Sequence, residues 1–263
     1  MELAKYSALA RISIGNNLVY VKDFFMSSLF IGIILFIFIQ LWTVVYGTEA
    51  EVIEGFTLGM MIWYLVLTES IVTSPGRLIE DIGAEVQSGT IAQHLLKPYH
   101  YLLFKYVTTM GSTVLRFVMT FIIGALLAFF FVGGIKVTLW SVPIIILSLF
   151  LALTLHYAFM AAIGVMAFWL EDAESLYLLY QKTIFVFGGM FMPLDIFPAW
   201  LESVSKALPF SYVAYYPAHL AVRFDVNEAI SVVGMQIVWI SVLSVIAWAL
   251  YRFCVKRITI NGG

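Results

Sequence analysis

Six separate stretches of this chain are apolar for long enough to cross, or nearly cross, a lipid bilayer, and that property decides most of what it can fold into. A helix needs about 20 mostly apolar residues to traverse the hydrocarbon core, with a working range of about 17–25. The stretches run over Phe24–Tyr46, Phe56–Val72, Val107–Val132, Trp140–Leu170, Tyr177–Met192 and Ile230–Phe253. The fourth is long enough to tilt, and the fifth is short. Within hydrocarbon every backbone amide and carbonyl has to be satisfied inside the protein. The expected fold is therefore all-α, a polytopic membrane protein with six transmembrane helices.

Composition agrees with this and removes several function classes. Hydrophobic residues make up 62% and charged residues 11% of the chain, against about 25% charged in an ordinary soluble domain. The single cysteine, Cys254, excludes an internal disulfide, and no clustered metal-ligand pattern appears, so no metal site is expected. A net charge of −2 without a basic block offers no footprint for nucleic acid. The N-terminal 25 residues lack a short apolar core followed by a small-residue cleavage site. The first span is accordingly expected to be the uncleaved insertion signal. No linker or shift in composition divides residues 1–263, which read as a single transmembrane domain.

Basic residues are retained on the cytoplasmic side during insertion. With the N-terminus inside, Lys5, Arg11, Lys22, Arg77, Lys97, Lys105, Lys182, Arg252, Lys256 and Arg257 are cytoplasmic, ten of the fourteen Lys and Arg. Lys136, Lys206 and Arg223 then lie outside, and Arg116 lies within a span. The first outer loop carries only acids, Glu49, Glu51 and Glu54. Both termini are expected inside.

Two amphipathic segments flank the inner face. Over residues 1–23, Leu3, Tyr6, Ala10, Ile14, Leu18 and Val21 follow helical spacing, the pattern of an interfacial helix. Over residues 76–98, Leu78, Ile79, Ile82 and Val86 share one helix face, while Arg77, Glu80, Asp81 and Glu85 bring charge. Gly89 should break this helix, because glycine costs roughly 1 kcal/mol in a helix interior. Thr90 and Gln93 match a capping box for a second short helix through Ile91, Leu95 and Leu96, ending near Pro98. Such a bent hairpin is shaped to fit a groove on a cytosolic partner. A loop that merely covers the lipid surface has the same pattern.

A second irregularity lies over residues 193–217. Gly188 and Gly189 weaken the fifth span and Pro193 lacks the amide needed to continue it, so the span should stop early or kink. Pro198 suits the first turn of a new helix with an apolar face of Trp200, Leu201, Val204 and Leu208. Phe210, Tyr212, Tyr215 and Tyr216 then supply aromatic rings of the boundary type. Non-helical backbone at membrane depth requires protein or water around it. This segment is thus either the outer gate of a pathway or a hairpin resting among headgroups.

Three ionisable residues fall at membrane depth: Glu69, Arg116 and His156. A central arginine costs about 2.5–3.5 kcal/mol on insertion scales, so such groups usually face protein, water or one another. An ion pair between Glu69 and Arg116 is expected as a clamp near the inner loop, and His156 as a hydrogen-bonded packing residue. Asp172 and Glu174 suit the positive end of the following helix. None of these residues forms a catalytic set.

The run Glu85, Gly89, Thr90, Ile91, Leu95, Leu96, Pro98 resembles the inner-loop pattern of the type-2 permeases of ATP-binding-cassette exporters. Gly188, Gly189, Met190, Phe191, Met192 and Pro193, then Phe197, Pro198, Ala199, Trp200 and Leu201, then Leu208, Pro209 and Phe210, resemble that family's fifth span and outer loop. The resemblance implies an N-terminal interfacial helix, six spans, a coupling helix between spans two and three, and re-entrant helices between spans five and six. It further implies coupling residues Glu80, Glu85, Gly89, Thr90, Ile91, Leu95 and Leu96, and an outer gate at Gly188, Gly189, Pro193 and Pro198. The implied partners are a cytosolic cassette ATPase and a second permease chain, the same or related, in the cytoplasmic membrane of a prokaryote. No G-x-x-x-x-G-K-[ST] loop is present. ATP and magnesium are thus expected on the partner, with no cofactor on this chain and no enzymatic activity of its own. The expected function is a permease subunit carrying an amphiphilic or lipid-like substrate. A self-contained ion-coupled transporter is the alternative, although it would normally show more buried carboxylates than Glu69.

Overall fold

The computed structural model describes residues 21–47, 52–170 and 174–255. The interfacial helix expected over 1–23 lies outside the described residues except for its last three, as do Glu49, Glu51, Asp172, Lys256 and Arg257.

Among the described residues the chain is all-helical: α1 (Val21–Tyr46), α2 (Leu58–Thr73), α3 (Leu78–Gln87), α4 (Ile91–Leu95), α5 (Tyr101–Val132), α6 (Val142–Met166), α7 (Glu174–Phe187), a 3-10 turn (Leu194–Ile196), α8 (Ala199–Ala207), α9 (Tyr215–Val222) and α10 (Val226–Val255). Five stretches are long and apolar enough to cross a membrane, Phe24–Tyr46, Leu58–Gln87, Tyr101–Val132, Val142–Met166 and Val226–Val255. The fifth stretch, Tyr177–Met192, is expected to be short and to stop early, and the described part of α7 ends at Phe187. α7 has 14 residues, about 21 Å of helix at 1.5 Å per residue against a core of about 30 Å.

Local chemistry sets the helix ends. Thr57 caps α2 by accepting the Met60 amide at 3.3 Å. α5 stops at Gly133, whose φ of +80° an L side chain rarely adopts. Pro143 occupies the first turn of α6, and the Asp225 carboxylate accepts the Glu228 amide at the start of α10.

The spans pack in two groups. Leu35, Ile39 and Trp42 of α1 meet Met61, Ile62, Leu65 and Val66 of α2 and Ala128 of α5. Gly124 of α5 sits at this crossing, where a Cβ would lie 2.8 Å from Val66 and 3.0 Å from Leu35. Buried hydroxyls add a polar link, Ser28 to Thr120 at 3.1 Å. The second group joins α6 to α10. Gln236 of α10 donates to the backbone carbonyls of Ser148 and Tyr212 and accepts from the Ser148 hydroxyl, so one buried side chain ties both spans to the outer segment.

Candidate functional site: the inner hairpin and the outer break

The hairpin expected between the second and third spans is α3 and α4, set at an angle by Gly89. Its φ of +72° places the expected break where the sequence puts it. Leu78, Ile79 and Ile82 are buried, each contributing roughly 2 kcal/mol by burial. Their seat is the end of α6, where Gly164 leaves space for Ile82; a Cβ there would lie 2.8 Å from the isoleucine tip. Glu80 is exposed in the first turn of α3.

Glu85 fixes the angle. One carboxylate oxygen accepts the Tyr101 hydroxyl at 2.6 Å, and the other takes the Lys105 ammonium at 2.7 Å. Lys105 is itself buried, so this contact anchors α3 to α5 in a largely dry setting. His94 of α4 brings Nε2 to 3.6 Å from Glu85, and its Nδ1 is 2.7 Å from the Tyr99 hydroxyl. Burial pushes the His94 imidazole below its ordinary value, opposed by Glu85 and reinforced by Lys97 and Lys105. Ile91 is buried, whereas Leu95 and Leu96 stand out, Leu96 with 88% of its surface exposed.

The capping box at Thr90 does not form. Thr90 already has helical angles, φ −60° and ψ −23°, and makes no side-chain cap. Its hydroxyl is instead 2.8 Å from that of Ser88. A capping side chain reaches the free amides from an extended backbone, which Thr90 lacks here.

The expected ion pair between Glu69 and Arg116 is likewise absent. α2 and α5 run antiparallel with Val66 level with Gly124. Glu69 is three residues below that level and Arg116 eight, an axial offset of about 7 Å. Arg116 instead lies level with Gly76 and covers the Phe24 ring at 4.4 Å. Glu69 is 4% exposed, and among the described residues its carboxylate makes no ion pair or hydrogen bond. His156 is buried against Tyr180, ring centres 5.5 Å apart, with Nδ1 unbonded.

At the opposite end, α7 stops at Phe187 and the chain turns through Gly188 and Gly189, the latter with φ +66°. Two carbonyls of the turn are taken up by α2: Tyr64 donates to Gly189 and Thr68 to Met190. A Cβ on Gly189 would lie 2.9 Å from the Tyr64 hydroxyl. Pro193 leads into the 3-10 turn, and Pro198 precedes α8 as its cap residue, one position earlier than expected, its carbonyl accepting from Leu201 and Glu202. The Trp200 and Val204 side chains of α8 face outward.

Asp195 ties this segment together. It accepts from Lys206 at 2.9 Å and from Tyr215 at 2.8 Å, while Lys206 also reaches Glu202 at 2.7 Å. Burial alone would raise the Asp195 carboxyl, but its hydrogen bonds from Lys206 and Tyr215 outweigh that and hold it below the usual carboxylate range. Burial acts downward on Lys206 and is outweighed by Glu202 and Asp195, which raise it. Only the Glu202 and Lys206 spacing signals any of this in sequence. Tyr64, Thr68, Tyr101 and Lys105 carry no local signal at all.

The family model for "ABC-2 family transporter protein" matches residues 28–262, nearly the whole chain. This chain belongs to the ABC-2 transporter family. No curated protein matches it. As an ABC-2 permease it is a multi-pass membrane transport component that works with a cassette ATPase and is not itself the ATPase. In that setting the hairpin and the broken span are the two irregular features at opposite ends of the bundle.

Proposed function

We propose that this permease forms half of an export pathway, with the α3–α4 hairpin as the coupling element that docks on the ATPase. One observation carries this reading. The hairpin is held firmly by three buried aliphatic residues and the Glu85 contacts, yet α4 ends on a bare Leu96, with Leu95 beside it 37% exposed. A rigid lever with an exposed apolar end suits transmission of force to a partner groove better than simple coverage of lipid.

In this reading Glu80, Gly89, Thr90 and Ile91 shape the docking end, and both termini share its cytoplasmic side. α7 acts as the fifth, broken crossing, and the segment from Pro193 through α9 is the re-entrant outer segment before the sixth. The turn at Gly188, Gly189, Pro193 and Pro198 closes the outer end as a gate. A second permease chain completes the pathway, ATP and magnesium reside on the ATPase, and the membrane is the cytoplasmic membrane of a prokaryote. The apolar spans favour an amphiphilic or lipid-like substrate.

The test is purification of the tagged chain from its native membrane in mild detergent, with mass spectrometry of the bound proteins. A cassette ATPase should be recovered with the wild type and lost with the double variant L95D/L96D. Undiminished recovery with the variant would overturn the hairpin as the docking element.

A further inference from the structure

A cavity of about 430 Å³ lies at the hairpin end of the bundle, walled by α5, α6 and α10. That is within the range of ligand-holding pockets, about 300–1,000 Å³. Its room comes from small residues on facing spans, Ala158 and Ala161 on α6 and Ala247 on α10. Most of the polar groups on its wall are turned to one another or to the backbone: Tyr106 and Thr154 bond each other at 3.1 Å, and Tyr157 donates to the Leu102 carbonyl at 2.7 Å, with His100 and Ser244 the other polar lining residues. The interior therefore offers apolar surface.

Two lining residues, Leu103 and Trp248, are 43% and 44% exposed, so the cavity opens sideways between spans, toward the bilayer. One helical turn beyond Trp248 stands Arg252, its guanidinium 4.9 Å from the indole centre. Arg252 is exposed and, among the described residues, makes no ion pair with a carboxylate. In sequence Lys256 and Arg257 follow. An apolar slot open to lipid with an unneutralised arginine at its membrane-surface end matches a chain with an anionic head. Guanidinium groups bind phosphate through paired N–H donors, and basic pockets between spans favour anionic headgroups.

We infer that this cavity is a binding site for an anionic phospholipid, one acyl chain lying against α6 between α5 and α10 and the phosphate on Arg252. The bound chain braces α5 against α10 next to the place where Tyr101 stacks on Tyr251, ring centres 5.7 Å apart. The site goes beyond the coupling role proposed above, and its tests do not involve the ATPase.

Native mass spectrometry of the full-length permease, incubated with equal amounts of phosphatidylglycerol and phosphatidylcholine of the same chains, reads the site directly. The wild type should retain phosphatidylglycerol in preference. A158L and A247L, which fill the cavity, should lose that retained lipid while remaining monodisperse and helical. R252Q should lower phosphatidylglycerol retention more than phosphatidylcholine retention, whose phosphate is paired with its own choline cation, and so cut the preference for the anionic lipid by about fivefold.

A second measurement needs no filled variant. In detergent, one equivalent of phosphatidylglycerol with brominated chains should quench the part of the tryptophan emission that W248F removes. Equal retention of the two lipids by the wild type, unaltered retention by folded cavity-filled variants, or absence of that quenching would each overturn the site.

Discussion

Glu85 shows how one side chain can set the geometry of a whole hairpin. Lys105 is 7% exposed, and a buried ammonium stripped of its carboxylate is costly, whereas removing both charges together is much less so. E85A should therefore destabilise the permease by about 2–3 kcal/mol, seen as an earlier thermal transition in detergent. The double variant E85A/K105M should recover most of that loss. A single variant as stable as wild type would show that the contact does not hold the hairpin. Glu69 and Arg116 make the opposite case. Because about 7 Å of helix axis separates their levels, their substitutions should add without coupling, within about 0.5 kcal/mol in a double-mutant cycle. A larger coupling energy would place them in contact after all. Sequence marks both residues as costly in a span, and they are buried or ring-covered as that cost demands. Which partner each has depends on the register of α2 against α5, which the packing of Gly124 on Val66 decides and no local pattern encodes.

The outer segment is held at the level of elements, by contacts joining the 3-10 turn, α8 and α9 through Asp195. Its folded Asp195 is below the ordinary carboxylate value, so its contribution is present above about pH 4 and is lost as pH falls through the folded value. Lys206 is raised, so its contribution is complete below about pH 10 and is lost as pH rises through the folded value. Limited proteolysis of residues 194–222 should therefore find the segment protected across that window and opened by acid. D195N should remove the acid step and leave the segment weaker throughout. An acid step unchanged in D195N would assign it to another group. The breaks at Gly89 and after Phe187 are legible in sequence because glycine and proline act on their own backbone. The stitches that fix those breaks are not. Tyr64 and Thr68 reach carbonyls 125 and 122 residues away, and a threonine or tyrosine inside a span looks the same whether it bonds its own helix or a distant turn.

At the scale of the whole molecule the question is what covers α7. Over the described residues this helix ends at Phe187, and in the proposed topology the backbone that leaves helical form there, at membrane depth, has to be shielded by protein or water. α2 supplies part of that shield through Tyr64 and Thr68. On its other side α7 leaves Leu178, Leu179, Phe185 and Val186 exposed. Lipid can cover such side chains but cannot satisfy the turn that follows them, so a second permease is the cover expected here. α5 is different. Phe129, Phe130 and Phe131 are also exposed, but they close an unbroken helix of 32 residues, long enough to carry its free terminal carbonyls to the membrane surface. A photo-reactive benzoylphenylalanine at Leu179 should therefore yield an adduct with a second permease chain, its mass distinguishing an identical chain from a related one. The same group at Phe130 should yield lipid adducts alone. A lipid-only result at Leu179 from membranes that retain the ATPase would remove the second permease from this face. The 188–193 turn would then have to be satisfied by water in the pathway itself.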